Sequence, residues 1–235
     1  MPFRFKQFSV DDDLCAMKVG TDSVLLGAWA DVEKSQQILD IGTGCGLLAL
    51  MAAQRCGAEI TAIDIHQPSA VQAQHNFELS PWAERLHVHC ISLQDFAKTK
   101  TNKFDHLITN PPYFINSLKS PDNGRNTARH NDELPLKSLV EFSAQLLTDA
   151  GRLSVVFPYA DSQLLINLAE ESSLSIKRQL IIIPKQGKEP NRILLEFTKG
   201  QAENTESATL AIRDYRGEYT QEYIKLTANF YLKLS

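Results

Sequence analysis

The sequence predicts an α/β fold built on one mostly parallel sheet of seven strands with helices on both faces. Three observations predict it. Short apolar runs alternate with helical stretches along most of the chain, the mark of successive βαβ units. A glycine turn, Gly42-Thr43-Gly44-Cys45-Gly46, follows the first long apolar run directly, where doubly wound sheets approach a nucleotide. The last two runs are joined only by Pro184 to Pro190, too short for a parallel crossover, so they should form an antiparallel hairpin.

Taken in order, strands are expected at Gln37–Ile41, Glu59–Asp64, Leu86–Ile91, Phe104–Thr109, Arg152–Phe157, Ile176–Ile183 and Arg192–Phe197. Helices are expected at Gly46–Cys56, Pro68–Leu79, Pro135–Thr148 and Asp161–Glu171. Pro68 and Pro135 fall in a first turn, where a missing N–H costs nothing. Two further helices flank this core: Asp22–Ala30, capped by Thr21 or Asp22, and Gln221–Leu232, capped by Thr220. The whole of 1–235 reads as a single domain, with segments 1–34 and 200–235 as lids or braces. Gly200 to Ala208 is small and polar and reads as a loop. Tyr113 to Leu134 is too long for a passive connection and reads as a functional loop.

With 43% hydrophobic and 22% charged residues over 235 positions, the chain can bury a full core but not two large ones. The first residues lack the apolar run of a signal peptide, and nothing approaches a membrane-spanning stretch. The expectation is a cytoplasmic protein with no membrane partner. Cys15, Cys45, Cys56 and Cys90 have neither zinc-site spacing nor disulfide-scaffold density, so they read as reduced thiols and no metal is expected.

The glycine turn is GxGxG. A dinucleotide fingerprint would place glycine where Leu47 stands, so the turn suits a cofactor without a pyrophosphate, such as S-adenosylmethionine. Gly42, Gly44 and Gly46 let the backbone approach the ligand, with Asp40 just before them. Asp64 ends the second strand eighteen residues past Gly46, where a carboxylate can accept both ribose hydroxyls. Asp95, after the third strand, could accept from an adenine amino group with Phe96 packing nearby. Each feature alone has a bland reading as a tight turn or a cap. Together, at three successive strand ends, they point to a bound nucleoside, with a nicotinamide cofactor as the runner-up.

The fourth strand ends in Asn110-Pro111-Pro112-Tyr113. Hydride transfer has no use for that arrangement. A conjugated amino nitrogen does, because its lone pair is delocalised and must be freed. If the Asn110 side-chain oxygen and the Pro111 carbonyl accept the two amino protons, the lone pair turns toward a methyl donor. Tyr113 can stack on a flipped-out base. An ordinary rigid turn is the competing explanation, since Asn-Pro and Pro-Pro pairs are common turn signals.

DIGTGCG at 40–46 and NPPY at 110–113 resemble the amino-methyltransferase superfamily over nearly the whole chain. Lys18 to Trp29 (KVGTDSVLLGAW), with Ala128-Arg129-His130 beyond NPPY, resembles the bacterial tRNA1(Val) adenine-N6 methyltransferases; the family stretch often has glycine where this chain has Ser23. The resemblance implies the Rossmann-like class I methyltransferase fold, S-adenosylmethionine as cofactor and tRNA as partner. It implies N6-methylation of adenine-37, the nucleoside 3′ of the anticodon. It also implies that Gly42, Gly44, Asp64 and Asp95 hold cofactor, that Lys18, Thr21 and Asp22 close over its methionine end, and that Asn110, Pro111 and Tyr113 hold the base. Protein glutamine methylation by the same NPPY chemistry is the alternative, and a non-catalytic module on the same fold is a third.

Charge adds a clue about the partner. Lys177 to Lys199 holds six basic residues against two glutamates, a net +4 in a chain whose total is −4, which marks an edge for phosphates or else a solvated face. Arg125, Arg129 and His130, with Lys119, put further basic groups beside NPPY and read as substrate-binding. His87 and His89 share a strand face without a third ligand. Asp11-Asp12-Asp13 reads as a solvated turn, Cys45 as a packing side chain, and Tyr215, Tyr219, Tyr223 and Tyr231 as core or helix-face groups.

Overall fold

The computed structural model describes residues 2–99, 103–112, 135–202 and 204–233. Lys119, Arg125, Arg129, His130, Tyr113 and the loop that carries them lie outside the described residues. The chain opens with a small antiparallel pair, β1 (Phe3–Arg4) and β2 (Ser9–Val10). Then come α1 (Thr21–Trp29), β3 (Gln37–Ile41), α2 (Leu47–Arg55), β4 (Glu59–Asp64), α3 (Gln67–Glu78), β5 (Leu86–Cys90), α4 (Leu93–Thr99) and β6 (Phe104–Thr109). The second half is α5 (Leu136–Leu146), β7 (Leu147–Pro158), α6 (Ser162–Glu171), β8 (Leu174–Lys185), β9 (Arg192–Lys199), β10 (Glu206–Arg213) and α7 (Gln221–Thr227).

All seven expected strands form, within a sheet of order β10-β8-β9-β7-β6-β3-β4-β5. β3 and β6 are buried almost throughout because helices cover both sides of them. One face packs on α1, α2, α3 and α7 through Val24, Leu25, Leu50, Phe77 and Tyr223. The other packs on α4, α5 and α6 through Phe96, Leu139, Val140 and Leu165. The expected hairpin is β8–β9, antiparallel, with β9 inserted beside β7.

Several features depart from expectation, each for a physical reason. β10 adds an eighth strand, parallel to β8; as an edge strand it fully buries only Leu210, so its run carries no apolar alternation and its start was hidden in the polar 200–208 stretch. α4 is seven residues long, too short to show a helical period. Gly20, not Thr21 or Asp22, caps α1, and no side chain accepts there, because the Asp22 carboxylate is drawn to Arg192 at 2.7 Å. α7 stops at Thr227. Phe230 and Tyr231 leave the helix to meet the amino-terminal hairpin, where the Lys6 amide donates to the Phe230 carbonyl at 2.9 Å and Phe5 pairs with Tyr231. Thr220 does cap α7, accepting from the Tyr223 amide. Asp11 to Asp13 is no solvated turn: the Asp11 amide donates to Asn76 at 3.0 Å and Asp12 accepts from the Val19 amide at 2.8 Å, strapping the segment along α3.

The chain runs outward from β3 through β4 to β5, then returns to β6 on β3's other side. The crevice at such a reversal, outside the carboxyl ends of the strands, is where open α/β sheets bind ligands. The carboxyl ends of β8 and β10 and the β8–β9 turn share that end of the sheet.

Candidate active site

β3 and β6 pair in parallel with Ile41 opposite Thr109, so the glycine turn and Asn110 leave adjacent strands at the same level, roughly 5 Å apart at their roots. The Thr109 hydroxyl donates to the Ile41 carbonyl at 2.8 Å, tying the two ends together. The turn itself is held from below: the Gly42 and Thr43 amides donate to the Ile63 carbonyl of β4 at 2.9 and 3.0 Å. Gly42 and Gly44 have φ of 67° and 56°, left-handed values that favour glycine. A Cβ on either would meet no atom within 4 Å, so both face the open crevice. Gly46, also left-handed, differs: a Cβ there would lie 2.5 Å from the Phe77 ring. Its lack of a side chain serves the packing of α3 against the turn.

Asp64 ends β4 under the crevice, accepting from the Gly44 amide through Oδ2 and from the His66 amide through Oδ1, both at 2.8 Å. Each carboxylate oxygen has a second lone pair, so ribose hydroxyls can be taken as well. Asp40, expected beside the cofactor, is fully buried beneath the turn. Its Oδ2 accepts from the Thr43 hydroxyl at 2.6 Å and the Ala49 amide at 3.1 Å, so it shapes the turn and the start of α2. Burial pushes its pKa up to about 7, against the pull of those two hydrogen bonds. Its Oδ1 has no hydrogen-bond partner among the described residues.

Asp95 sits at the start of α4, its carboxylate accepting from the Ser92 hydroxyl and from Lys98, both at 2.8 Å. Lys98 and Ser92 hold its carboxyl below the usual range. It is an exposed helix-start acid at the rim. Phe96 packs in the core against Phe104. Lys18 donates to the Asp12 carbonyl at 2.6 Å, in a strap that the Asn76 amide fastens to the Cys45 carbonyl of the turn at 2.8 Å. Thr21 opens α1 at the crevice edge, and Asp22 is engaged by Arg192.

The Asn110 side-chain amide donates to the Ser23 hydroxyl at 2.8 Å. That contact ties the amide nitrogen to α1 and sets the plane of the side chain. In the sequence Ser23 stands out only as a departure from glycine, because the partner that gives it a role lies 87 residues away. Pro111 is half-buried and Pro112 exposed. His87 pairs with Glu59 at 3.3 Å, and no group of three His, Cys, Asp or Glu among the described residues could hold a metal ion. No helix of the described residues is long and apolar enough to cross a membrane.

The basic stretch 177–199 is divided by the fold. Arg178 lies over Trp29 and grips Glu196, whereas Lys185, Lys188 and Arg192 stand at the crevice end of the hairpin.

Asp64→Ala is expected to weaken S-adenosylmethionine binding by about 2–3 kcal/mol, through lost charge-assisted bonds and a loosened Gly44 amide. An unchanged calorimetric affinity would refute the role.

Comparison with known proteins agrees with this geometry. The methyltransferase small domain family matches residues 14–162. A tRNA1(Val) (adenine(37)-N6)-methyltransferase of Bacteroides fragilis is 48% identical over 99% of this chain and 98% of its own length. Its counterpart in Parabacteroides distasonis is 44% identical over the same shares, and that of Actinobacillus succinogenes 43% over 98% and 97%. Among solved structures, an Agrobacterium tumefaciens protein described as a predicted O-methyltransferase superposes with a TM-score of 0.69 at 20% identity, over 89% of this chain and 96% of that one. A ribosomal protein L11 methylase of Lactobacillus delbrueckii gives 0.59 at 19% over 82% and 84%; at those identities the likeness speaks for the class I methyltransferase fold alone. The chain belongs to the tRNA1(Val) (adenine(37)-N6)-methyltransferase family.

Proposed function

We propose that the protein uses S-adenosylmethionine to methylate N6 of adenine-37 in tRNA1(Val), the activity named for its full-length relatives. The observation that carries the reading is Asn110, held by Ser23 at the root it shares with the glycine turn. Bound in the crevice, S-adenosylmethionine supplies a methyl group made electrophilic by its sulfonium.

The chain's own groups do the rest. Gly42, Gly44 and the Asp64 carboxylate hold the nucleoside part of the cofactor. The Asn110 oxygen and the Pro111 carbonyl accept the two N–H bonds of the adenine amino group, fix the direction of its lone pair, and stabilise the positive charge that builds on nitrogen during transfer. Tyr113 is assigned to stacking on the base, worth about 1–3 kcal/mol, and Arg125, Arg129 and His130 to the flanking phosphates. A glutamine side chain would gain little from an aromatic face.

The test incubates the protein and labelled S-adenosylmethionine separately with unmodified tRNA1(Val) and with a peptide-chain release factor, then digests each for mass spectrometry. Label in N6-methyladenosine is expected. Label only in methylglutamine, or only in another nucleoside, overturns the substrate while leaving the methyltransferase standing.

A further inference from the structure

A cleft of about 290 Å³ lies beside the crevice, lined by Thr21 and Asp22 of α1, Asn191 and Arg192 of the β8–β9 turn, and Arg213 and Tyr219 around the β10–α7 turn. We propose that it holds the phosphodiester of a nucleotide flanking the target adenosine, with Arg213 as the main phosphate ligand. This rests on the RNA reading above and adds a second, separate contact site to it.

Position is the first argument. Asp22 lines the cleft and Ser23, the next residue of α1, holds Asn110. A strand of RNA whose target base reaches Asn110 therefore has its neighbouring backbone at the cleft mouth. The strand topology agrees: the turns that form the cleft stand at the same end of the sheet as the glycine turn, on the β6 side rather than the cofactor side.

The state of Arg213 is the second. Its guanidinium lies 4.1 Å over the Tyr219 ring, and Tyr219 in turn stacks on Tyr223 at 5.1 Å. One of its nitrogens donates to the Gly217 carbonyl at 2.6 Å. The fork is thus held at a set angle before any ligand arrives, which lowers the ordering cost of binding. No ion pair joins it to a carboxylate among the described residues, although it is exposed.

Charge and shape are the third. The lining carries one carboxylate, Asp22, against two guanidinium groups, and Asp22 is matched by Arg192 at 2.7 Å, so the cleft is net positive. Asp214, next in the chain, is outside the lining; its Oδ1 accepts from the Arg216 and Glu218 amides at 2.8 and 3.0 Å, shaping the turn. On the rim, Tyr215 is 74% exposed and rests against Gly187. It offers a flat face to a base adjoining the bound phosphate.

The competing explanation is that Arg213 merely staples the turn to α7. Binding of unmodified tRNA1(Val) transcript, followed by fluorescence anisotropy across a potassium chloride series, separates the two for wild type, Arg213→Ala, Arg213→Gln and Lys34→Ala. Lys34 is exposed in the loop before β3, at the opposite end of the sheet. For the Arg213 variants the slope of log K against log salt should fall by about 0.7, one single-strand phosphate contact. The KM for tRNA should rise about tenfold with kcat nearly unchanged, and S-adenosylmethionine affinity should match wild type. Lys34→Ala should leave the slope and KM as they were. If the alanine variant loses cofactor binding, the glutamine variant carries the test. Wild-type slope and KM in an Arg213 variant, or an equal fall with Lys34→Ala, overturns the cleft assignment while tRNA methylation by wild type still stands. Failure of wild type to methylate tRNA is a different result and removes the RNA reading itself.

Discussion

Asn110→Ala is expected to lower turnover by roughly 100-fold or more while leaving S-adenosylmethionine affinity within several-fold of wild type. The asymmetry follows from the geometry. The Asn110 amide is held by Ser23, while Gly42 and Gly44 are held by Ile63 and Asp64 of β4, so truncating Asn110 leaves those bonds in place. What disappears is an acceptor whose worth grows as charge builds on the attacked nitrogen. Ser23→Ala should fall between the two, at about tenfold, because the amide is still present but can rotate. Single-turnover rates with tRNA, beside calorimetry with S-adenosylmethionine, read both quantities. Full activity in Asn110→Ala would sink the catalytic role.

Glu196→Ala is expected to destabilise the fold by about 3–5 kcal/mol. Glu196 is fully buried, and Arg178 reaches both its oxygens at 3.0 Å. The Ser154 hydroxyl donates to it at 3.0 Å, and Arg152 stands at 3.7 Å. Burial opposes the charge, but Arg178 together with the neighbouring His106 and Arg152 outweighs it, so the carboxyl stays below its ordinary pKa. His106, which reaches Ser154 at 2.9 Å, is held neutral by burial, its pKa lowered to about 4. Truncating Glu196 leaves the half-buried Arg178 without its carboxylate, while Arg152 keeps Asp31. A Tm lower by about 10 °C should result, whereas Arg178→Met combined with Glu196→Leu should recover most of the loss, since an apolar pair removes both charges together. A double variant no more stable than Glu196→Ala would show that the pair is not the origin of the cost.

Much of this was legible in the chain because it is local. β3 with its glycine turn, β6 with Asn110-Pro111-Pro112, and the short β8–β9 link each carry their signal within a few residues, and the parallel core follows from their alternation with helices. What escaped depends on partners far along the chain or on segments too short to show a period. β10 shows no alternation because its edge position leaves most of its side chains in solvent. Asp22 looked like a cap, yet its carboxylate answers an arginine 170 residues on. Arg178 counted as surface charge in a linear tally but points into the core at Glu196. The packing of Gly46 on Phe77 and the bond from the Ala49 amide to Asp40 depend on where α3 and α2 lie, which the turn's own residues do not show.

α1 is fastened along its whole length. At its start Asp22 is bound by Arg192 and Ser23 by Asn110. At its end the Gly27 carbonyl accepts from Arg55 at 2.6 Å, the Trp29 carbonyl accepts from Arg178 at 2.9 Å, and Asp31 just beyond pairs with Arg152. A helix tied to β6, α2, β7, β8 and β9 together has no hinge about which to swing. Its amide protons should then be exposed only when those strands open with it, so that in hydrogen exchange α1 belongs to the slowest cooperative unit of the molecule rather than to its mobile periphery.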